Sequence, residues 1–284
     1  MKKLMGCVLV SLSLTNCAQT PADEINWATF NIRYDNPADA PHHWEARKER
    51  VAQYILDNKI DIVGMQEVLH GQFEALKASL PEFAAVGVGR EDGKEGGEYA
   101  PIFYRKARFK LLDSGTFWLS QYPDSVGFIG WDGACTRIAT WTKMKDLQAN
   151  KIFMAVNTHF DHVGVEARTR SALLIIEKMK EVAGENPVVL TGDFNVSEEW
   201  DAYKTITSNS YVLKDAHKIA KEKAGVNYTF HNFDRLPEKE RQIIDFIFVS
   251  PQVEVLRSEI PGANVNPEGL LSDHNPQIST LRFQ

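Results

Sequence analysis

Four apolar, strand-like stretches of the sequence each end in polar residues that could bind a metal ion or move a proton. The polar ends are Asn31, Gln66-Glu67, Asn157-Thr158-His159 and Asp193-Phe194-Asn195. A strand with a purely structural role would simply turn at such a point. Gathered at one edge of a sheet, these side chains would form a functional site.

A further carboxylate, Asp245, interrupts the apolar run from Ile243 to Phe248. A buried carboxylate is costly unless it is paired or hydrogen-bonded, so Asp245 must have a partner. An imidazole is suitable, because an Asp–His pair fixes the tautomer of the ring and raises its basicity. The alternative is a structural role, in which Asp245 caps a loop or pairs with Arg241 or Arg137.

The candidate set is rich in oxygen ligands and contains no cluster of cysteines. Asp273-His274, inside the motif Ser272-Asp273-His274-Asn275-Pro276, adds another carboxylate and an imidazole. Such a set suits Mg²⁺, Mn²⁺ or Ca²⁺ better than a structural zinc, and it favours hydrolysis assisted by a hard cation. Each motif alone could be a chance turn. Their joint occurrence in this order is a much stronger signal.

In their order the motifs resemble the endonuclease/exonuclease/phosphatase superfamily, which includes deoxyribonuclease I, exonuclease III-like repair nucleases, sphingomyelinases, inositol polyphosphate 5-phosphatases and deadenylases. The resemblance extends from about Asn26 to the C-terminus. Its segments are Thr29-Phe30-Asn31-Ile32-Arg33, Asp61-Ile62-Val63-Gly64-Met65-Gln66-Glu67, Asn157-Thr158-His159-Phe160-Asp161, Thr191-Gly192-Asp193-Phe194-Asn195, Ile244-Asp245-Phe246-Ile247 and Ser272-Asp273-His274-Asn275-Pro276. Two further segments, Thr116–Ser120 and Gly130–Arg137, resemble exported bacterial members near the deadenylase-like branch.

The resemblance implies an α+β fold, a four-layer sandwich in which two mixed β-sheets pack face to face with helices on the outer faces. The active site would lie at one end of the sandwich. The resemblance also implies a metal site for Mg²⁺ or Mn²⁺. Glu67 would be the principal ligand, helped by Asn31 and Asp273.

Five residues would carry the catalytic roles that the resemblance implies. Asp193 and Asn195 would orient the attacking water and the scissile phosphate. His159 would donate a hydrogen bond to a phosphate oxygen. His274, paired with Asp245, would act as a general base or polarise the phosphate, and the division of labour between Asp193 and His274 stays open.

Hydrophobic periodicity predicts the elements that position these residues. The predicted helices are Trp44–Asn58, Gln72–Leu80 and Arg168–Val182. The predicted strands are Ile25–Ile32, Ile60–Met65, Phe83–Val88, Pro101–Tyr104, Arg108–Leu119, Arg137–Lys145, Ile152–Thr158, Val188–Leu190, Ile243–Val249, Val253–Glu259 and Gln277–Phe283. The chain shows no repeat or linker, so we expect residues 22–284 to form a single domain.

The N-terminal residues predict export. Lys2 and Lys3 precede an apolar stretch that is too short to span a bilayer, which predicts a secretory signal peptide over residues 1–17. The sequence Leu14-Thr15-Asn16-Cys17 resembles a bacterial lipobox, although Asn16 departs from the usual small residue. We therefore expect a lipid anchor on Cys17 in the bacterial cell envelope, in the periplasm or at the outer membrane. A plain secretory signal is the alternative.

Composition and charge narrow the function further. With 43% hydrophobic and 25% charged residues, the chain is typical of a globular protein, and disordered or collagen-like classes are excluded. The net charge of −6 and the absence of a long basic run weigh against tight binding of a long polyanion.

The sequence thus predicts an exported, metal-dependent hydrolase of phosphoester bonds. It would act as a monomer on a phosphorylated small molecule or a nucleic acid and would touch the membrane only through its lipid anchor. Arg137 could clamp a phosphate, and Asn157 is the other candidate for substrate contact. A DNA or RNA nuclease and a catalytically dead binding module are alternatives. A lipid-directed enzyme is disfavoured, because no exposed hydrophobic hairpin is predicted.

Overall fold

The computed structural model describes residue 21 and residues 23–208, 211, 213–262 and 269–284. The signal peptide and lipobox predicted for residues 1–17 lie outside the described residues, so export and lipidation stay predictions. Of the helices in the described ranges, none combines the length and apolar character needed to cross a bilayer.

Five α-helices occur in the described ranges, and the three predicted from periodicity are confirmed. The helices are α1 (Trp44–Asp57), α2 (His70–Ser79), α3 (Val165–Ala183), α4 (Asp201–Ser208) and α5 (Ala216–Ile219), with short 3₁₀ turns at Pro37–Asp39 and Glu238–Glu240. Helix α3 begins three residues earlier than predicted. The distant Asp132 carboxylate accepts the backbone N–H groups of Glu166 and Ala167 at 3.2 and 2.6 Å, so the first turn is capped from outside its own sequence.

The described strands form two mixed sheets. They are β1 (Glu24–Asn31), β2 (Ile62–Gln66), β3 (Phe83–Val86), β4 (Ile102–Arg105), β5 (Phe109–Trp118), β6 (Ile138–Asp146), β7 (Lys151–His159), β8 (Val188–Asp193), β9 (Lys214–Asp215), β10 (Glu222–Gly225), β11 (Asp245–Val249), β12 (Val253–Ile260) and β13 (Gln277–Phe283). The first sheet has the order β10-β12-β13-β1-β2-β4-β3, and the second has the order β5-β6-β7-β8-β11-β9. Strand β1 is parallel to β2, and β7 is parallel to β8, whereas most other neighbours are antiparallel.

Burial of apolar side chains creates four layers. The inner faces of the two sheets meet in a core that includes Trp27, Phe153, Ile247 and Leu281. Helices α1 and α2 cover the outer face of the first sheet, and α3 and α4 cover the second. The predicted α+β sandwich is confirmed. The helices cover its outer faces, and loops lie at its ends.

The connection between β5 and β6 exposes an apolar segment. Tyr122, Val126, Phe128 and Ile129 are exposed by 56%, 53%, 38% and 47%. The expectation that no exposed hydrophobic segment is present is therefore wrong. In the sequence these residues are separated by Pro, Asp, Ser and Gly, so the segment has the pattern of an ordinary polar turn.

Candidate active site

Strand pairing brings the predicted catalytic residues to one end of the sandwich. Asn31 at the end of β1 lies opposite Gln66 at the end of the parallel strand β2. In the second sheet His159 lies opposite Asp193, and Asp193 lies opposite Asp245. The polar ends seen in the sequence therefore share one edge, because parallel strands end on the same side of a sheet.

Asp193 is a buried carboxylate held by two donors. Its Oδ2 accepts a hydrogen bond from Asn31 Nδ2 at 2.9 Å, and its Oδ1 accepts one from the backbone N–H of Asn195 at 3.0 Å. Burial and the negative charge of Asp245 raise the pKa of Asp193 from 3.8 to about 7. The carboxylate is thus both oriented and basic.

His274 is the buried partner of Asp245. Its Nδ1–H donates to Asp245 Oδ2 at 2.8 Å, which leaves Nε2 at 3.8 Å from Asp193 Oδ2. Burial lowers the pKa of His274, but the charge and hydrogen bond of Asp245 outweigh it and raise the pKa to about 10. The alternative partners are engaged elsewhere, Arg241 with Asp234 and Arg137 beside Asp161.

His159 and Asn195 form a second pair beside Asp193. Asn195 Nδ2 donates to the carbonyl oxygen of Phe160 at 3.0 Å, which fixes the orientation of the amide, and it lies 3.1 Å from His159 Nε2. Nε2 therefore accepts, and Nδ1 carries the proton of the neutral ring. Burial and the charges of Arg137 and Arg90 hold the pKa of His159 well below its usual value.

The residues predicted to bind metal surround a cation of the protein itself. The guanidinium of Arg33 lies 3.7 Å from Glu67 Oε2 and 3.8 Å from Asp273 Oδ2, and it pairs with Asp39 at 2.8 Å. Burial opposes this charge, but the three carboxylates raise the pKa of Arg33 above its usual value. Sequence reasoning assigned no role to Arg33, although it ends the first motif.

Arg33, Glu67 and Asn195 adopt left-handed backbone conformations, with φ of 59°, 62° and 50°. Residues other than glycine occupy this region at a cost, and such strain clusters at functional sites. Each of the three residues lies one or two positions beyond the end of a strand that leads into the site. Strain of this kind has no signature in residue type alone.

The donor set fits a hard divalent cation. Ligand atoms of Glu67, His159 and Asp193 lie within 4.8 Å of one another, and two carboxylates already face the cation of Arg33. Asn31 presents Nδ2 to Glu67 Oε1 at 3.0 Å, while its Oδ1 accepts the backbone N–H of Arg33. To act as the predicted ligand, Asn31 would have to turn its amide.

The two candidates for substrate contact differ. Asn157 is fully buried, and its amide bonds Gln66, Thr191 and the carbonyl oxygens of Met65 and Pro101. It joins the two sheets, and this indicates a structural role in place of the predicted substrate contact. Arg137 is also buried, but only its Nη2 has a partner among the acceptors of the described residues.

Comparison with known proteins supports the resemblance seen in the sequence. A sequence model of the Endonuclease/Exonuclease/phosphatase family matches residues 28–274. An endonuclease/exonuclease/phosphatase from Bacteroides vulgatus is 61% identical with a TM-score of 0.90, and the match covers 92% of this chain and 99% of that one. A mannosyl-6-phosphatase from Bacteroides thetaiotaomicron is 37% identical with a TM-score of 0.85, over 91% of this chain and 100% of that one.

A more distant curated relative is Nocturnin of Drosophila melanogaster, which is 25% identical over 57% of this chain. The match covers 26% of Nocturnin, so the chain spans about a quarter of that relative's length. Nocturnin belongs with the deadenylase-like relatives, which confirms the predicted neighbourhood within the family.

Proposed function

The chain belongs to the Endonuclease/Exonuclease/phosphatase family of phosphoester hydrolases, and on this premise we propose that it is a phosphomonoesterase for small phosphorylated molecules. The observation that carries the proposal is the 37% identity, along nearly the whole of both chains, with a mannosyl-6-phosphatase. The net charge of −6 also favours a small substrate over a long polyanion.

Phosphoryl transfer requires mainly positioning and neutralisation of charge on the phosphate oxygens. Glu67 and Asp273 would hold the divalent cation, which when bound supplies positive charge next to the phosphate and the leaving oxygen, while Asn31 keeps its amide hydrogen bond to Asp193. Mg²⁺ and Mn²⁺ suit this oxygen-rich set. The guanidinium of Arg33, which lies beside Glu67 and Asp273, would add a fixed positive charge next to the phosphate.

Asp193 is placed to accept the proton of the attacking water. Asn31 and the backbone N–H of Asn195 fix its two oxygens, so little reorganisation is needed when the proton moves. His274 is placed to donate its Nε2–H to a phosphate oxygen, because Asp245 holds its Nδ1–H. We thus assign the role of general base to Asp193 and the role of electrostatic donor to His274.

The test measures hydrolysis of phenyl phosphate, sugar phosphates, bis-p-nitrophenyl phosphate, plasmid DNA and RNA with Mg²⁺, Mn²⁺ or EDTA. We expect metal-dependent cleavage of the monoesters with kcat/KM at least about 10-fold above that of the diesters. A higher kcat/KM on the diester or on nucleic acid would replace the proposal with a nuclease. No cleavage of any substrate would point to a binding module.

We also propose that the enzyme acts in the bacterial cell envelope as a monomer anchored through a lipidated Cys17. The support is the basic start, the apolar stretch and the lipobox-like ending of residues 1–17. Expression of the full chain and its Cys17→Ser variant, followed by membrane fractionation and intact mass, tests the anchor. An unmodified Cys17 in a fully soluble product would contradict it.

A further inference from the structure

Three buried nitrogen atoms next to the predicted catalytic residues have no hydrogen-bond partner among the described residues. They are Arg137 Nε, Arg137 Nη1 and His159 Nδ1. The side chain of Arg137 is only 7% exposed, and its single hydrogen bond in these ranges runs from Nη2 to His162 Nδ1 at 3.1 Å. Buried donors without acceptors are costly, so their presence together indicates a place for a polar ligand.

The position of Arg137 is set by the sheet and by a neighbouring carboxylate. Ala139 lies opposite Thr158, so Arg137, one residue before β6, lies at the same edge as His159. Asp161 Oδ2 lies 3.7 Å from Arg137 Nε, and both Asp161 oxygens accept backbone N–H groups, among them those of Ala134 and Gly164. The guanidinium is therefore held in place before any substrate arrives.

Glu98 supplies an acceptor beside these donors. Its Oε2 lies 3.8 Å from His159 Nδ1 and pairs with Arg90 at 2.7 Å. Burial raises the pKa of Glu98, and the charge of Glu67 adds to this, whereas the charges of Arg90 and Arg137 oppose it. Sequence reasoning missed Glu98, because it lies in a glycine-rich loop with no recognisable motif.

The chemistry of this group favours a hydroxyl ligand. The charge of Glu98 is balanced by Arg90, and that of Arg137 by Asp161, so the group has no net charge to attract an ion. A hydroxyl group both donates and accepts, so it can receive the hydrogen bonds of Arg137 and His159 and donate its own to Glu98. Neighbouring hydroxyl groups on one molecule would satisfy all of these atoms together.

We propose that Glu98, Arg137 and His159 Nδ1 form a subsite that binds the hydroxyl groups of a sugar, the leaving group of a sugar phosphate. The inference rests on the proposed phosphomonoesterase function and adds the residues that choose its substrate. It makes Glu98 and Arg137 specificity determinants, whereas the residues around Asp193 act on the phosphate of any monoester.

The experiment compares mannose 6-phosphate with phenyl phosphate, whose leaving group has a single oxygen. For Glu98→Gln and Arg137→Met we expect kcat/KM on the sugar phosphate to fall about 10- to 100-fold further than on phenyl phosphate, since each loses a charged hydrogen bond. The matched control is Glu181→Gln, an exposed carboxylate on α3 that pairs with Lys178 and should change neither rate. Melting temperatures of all variants check the fold.

An equal loss on both substrates, or no loss on either, would overturn the inference. Binding of free mannose, followed by ligand-observed NMR, gives a measurement independent of turnover: we expect binding to the wild-type protein and its loss in Glu98→Gln. Mannose that binds both proteins equally, or neither, would also contradict the subsite. If the wild-type protein cleaves no phosphomonoester but binds mannose through Glu98, the proposed function fails and the subsite stands.

Discussion

Two buried charged clusters lie at opposite ends of the same sandwich and are built differently. The first, which we call the Arg108 cluster, consists of Arg108, Asp61 and Asp146. Arg108 donates from Nε and Nη2 to Asp146 at 3.2 and 3.0 Å and from Nη1 to Asp61 at 3.3 Å. Asp146 also accepts the backbone N–H groups of Gln148 and Ala149. Every nitrogen of this guanidinium therefore has an acceptor.

The second, which we call the Asp193 cluster, consists of Asp193, Asp245 and His274. Asp245 Oδ1 is buried with no hydrogen-bond partner among the described residues, and the pKa of Asp193 is raised by burial and by its acidic neighbour. The eight residues of β1 separate the two ends by about 25 Å at the usual rise per residue.

Both clusters are buried and both combine carboxylates with a cation, so burial and residue type do not distinguish them. The two clusters differ in how completely their polar atoms are hydrogen-bonded. A fully bonded cluster holds strands together, whereas one whose buried polar atoms lack hydrogen-bond partners can accept a ligand.

The strongest way to break this comparison is Asp193→Ala. We expect kcat/KM on phenyl phosphate to fall by about 10³-fold or more, because the general base is lost. The melting temperature near neutral pH should not fall, because burial and the charge of Asp245 destabilise the Asp193 carboxylate that is removed. A large loss of stability with retained activity would reverse the roles given to the two ends.

Arg108→Met tests the cluster at the other end of the sandwich. Removing one partner of a buried pair leaves carboxylates without compensation, so the free energy of unfolding should fall by about 3–5 kcal/mol. Turnover per folded molecule should stay within about twofold, since the cluster lies far from the site. Chemical denaturation and active-site titration measure the two quantities. The control is Arg170→Met, which removes an exposed ion pair of α3 and should cost at most about 1 kcal/mol.

Divalent cations should stabilise the folded protein only by binding at the active-site end of the sandwich. At a concentration of Mg²⁺ or Mn²⁺ about 100-fold above Kd, the gain in the free energy of unfolding should be about 2.7 kcal/mol. Glu67→Gln should lose most of this gain, and Arg108→Met should keep it. An equal gain in both variants would place the cation elsewhere.

Local motifs made the Asp193 cluster visible in the sequence, because Asp193 ends an apolar strand, Asp245 interrupts an apolar run and His274 lies in a recognisable motif. The fold class followed from the same strands and from the resemblance they carry. Asp245 was informative since a carboxylate inside an apolar strand demands a partner.

The features that could not be predicted from the sequence depend on contacts between distant residues. Asp61, Arg108 and Asp146 are three ordinary charged residues in the sequence, and only the folded chain joins them. Glu98 lies in a loop without periodicity, and the first turn of α3 depends on Asp132, more than 30 residues away. The left-handed turns at Arg33 and Glu67 follow from packing that no propensity encodes.

The smallest expected effect is on the pH dependence of stability without metal. The pKa of Asp193 is about 7 in the folded chain and 3.8 ordinarily, so between these values the folded state binds more protons than the unfolded state. Raising the pH through this window therefore destabilises the folded protein. His274 is protonated in both states up to its ordinary pKa of 6.5, so it adds little below that pH.

In EDTA, the free energy of unfolding of the wild-type protein relative to Asp193→Asn should thus decline as the pH rises from about 5 to about 6.5. Arg170→Met should show the same decline as the wild-type protein, because it changes only an exposed ion pair of α3 and leaves the Asp193 carboxyl in place. Denaturant titrations of the three proteins at several pH values measure these slopes. A slope unaltered by Asp193→Asn would mean that another group carries the protonation change, and the contrast between the two ends would then fail.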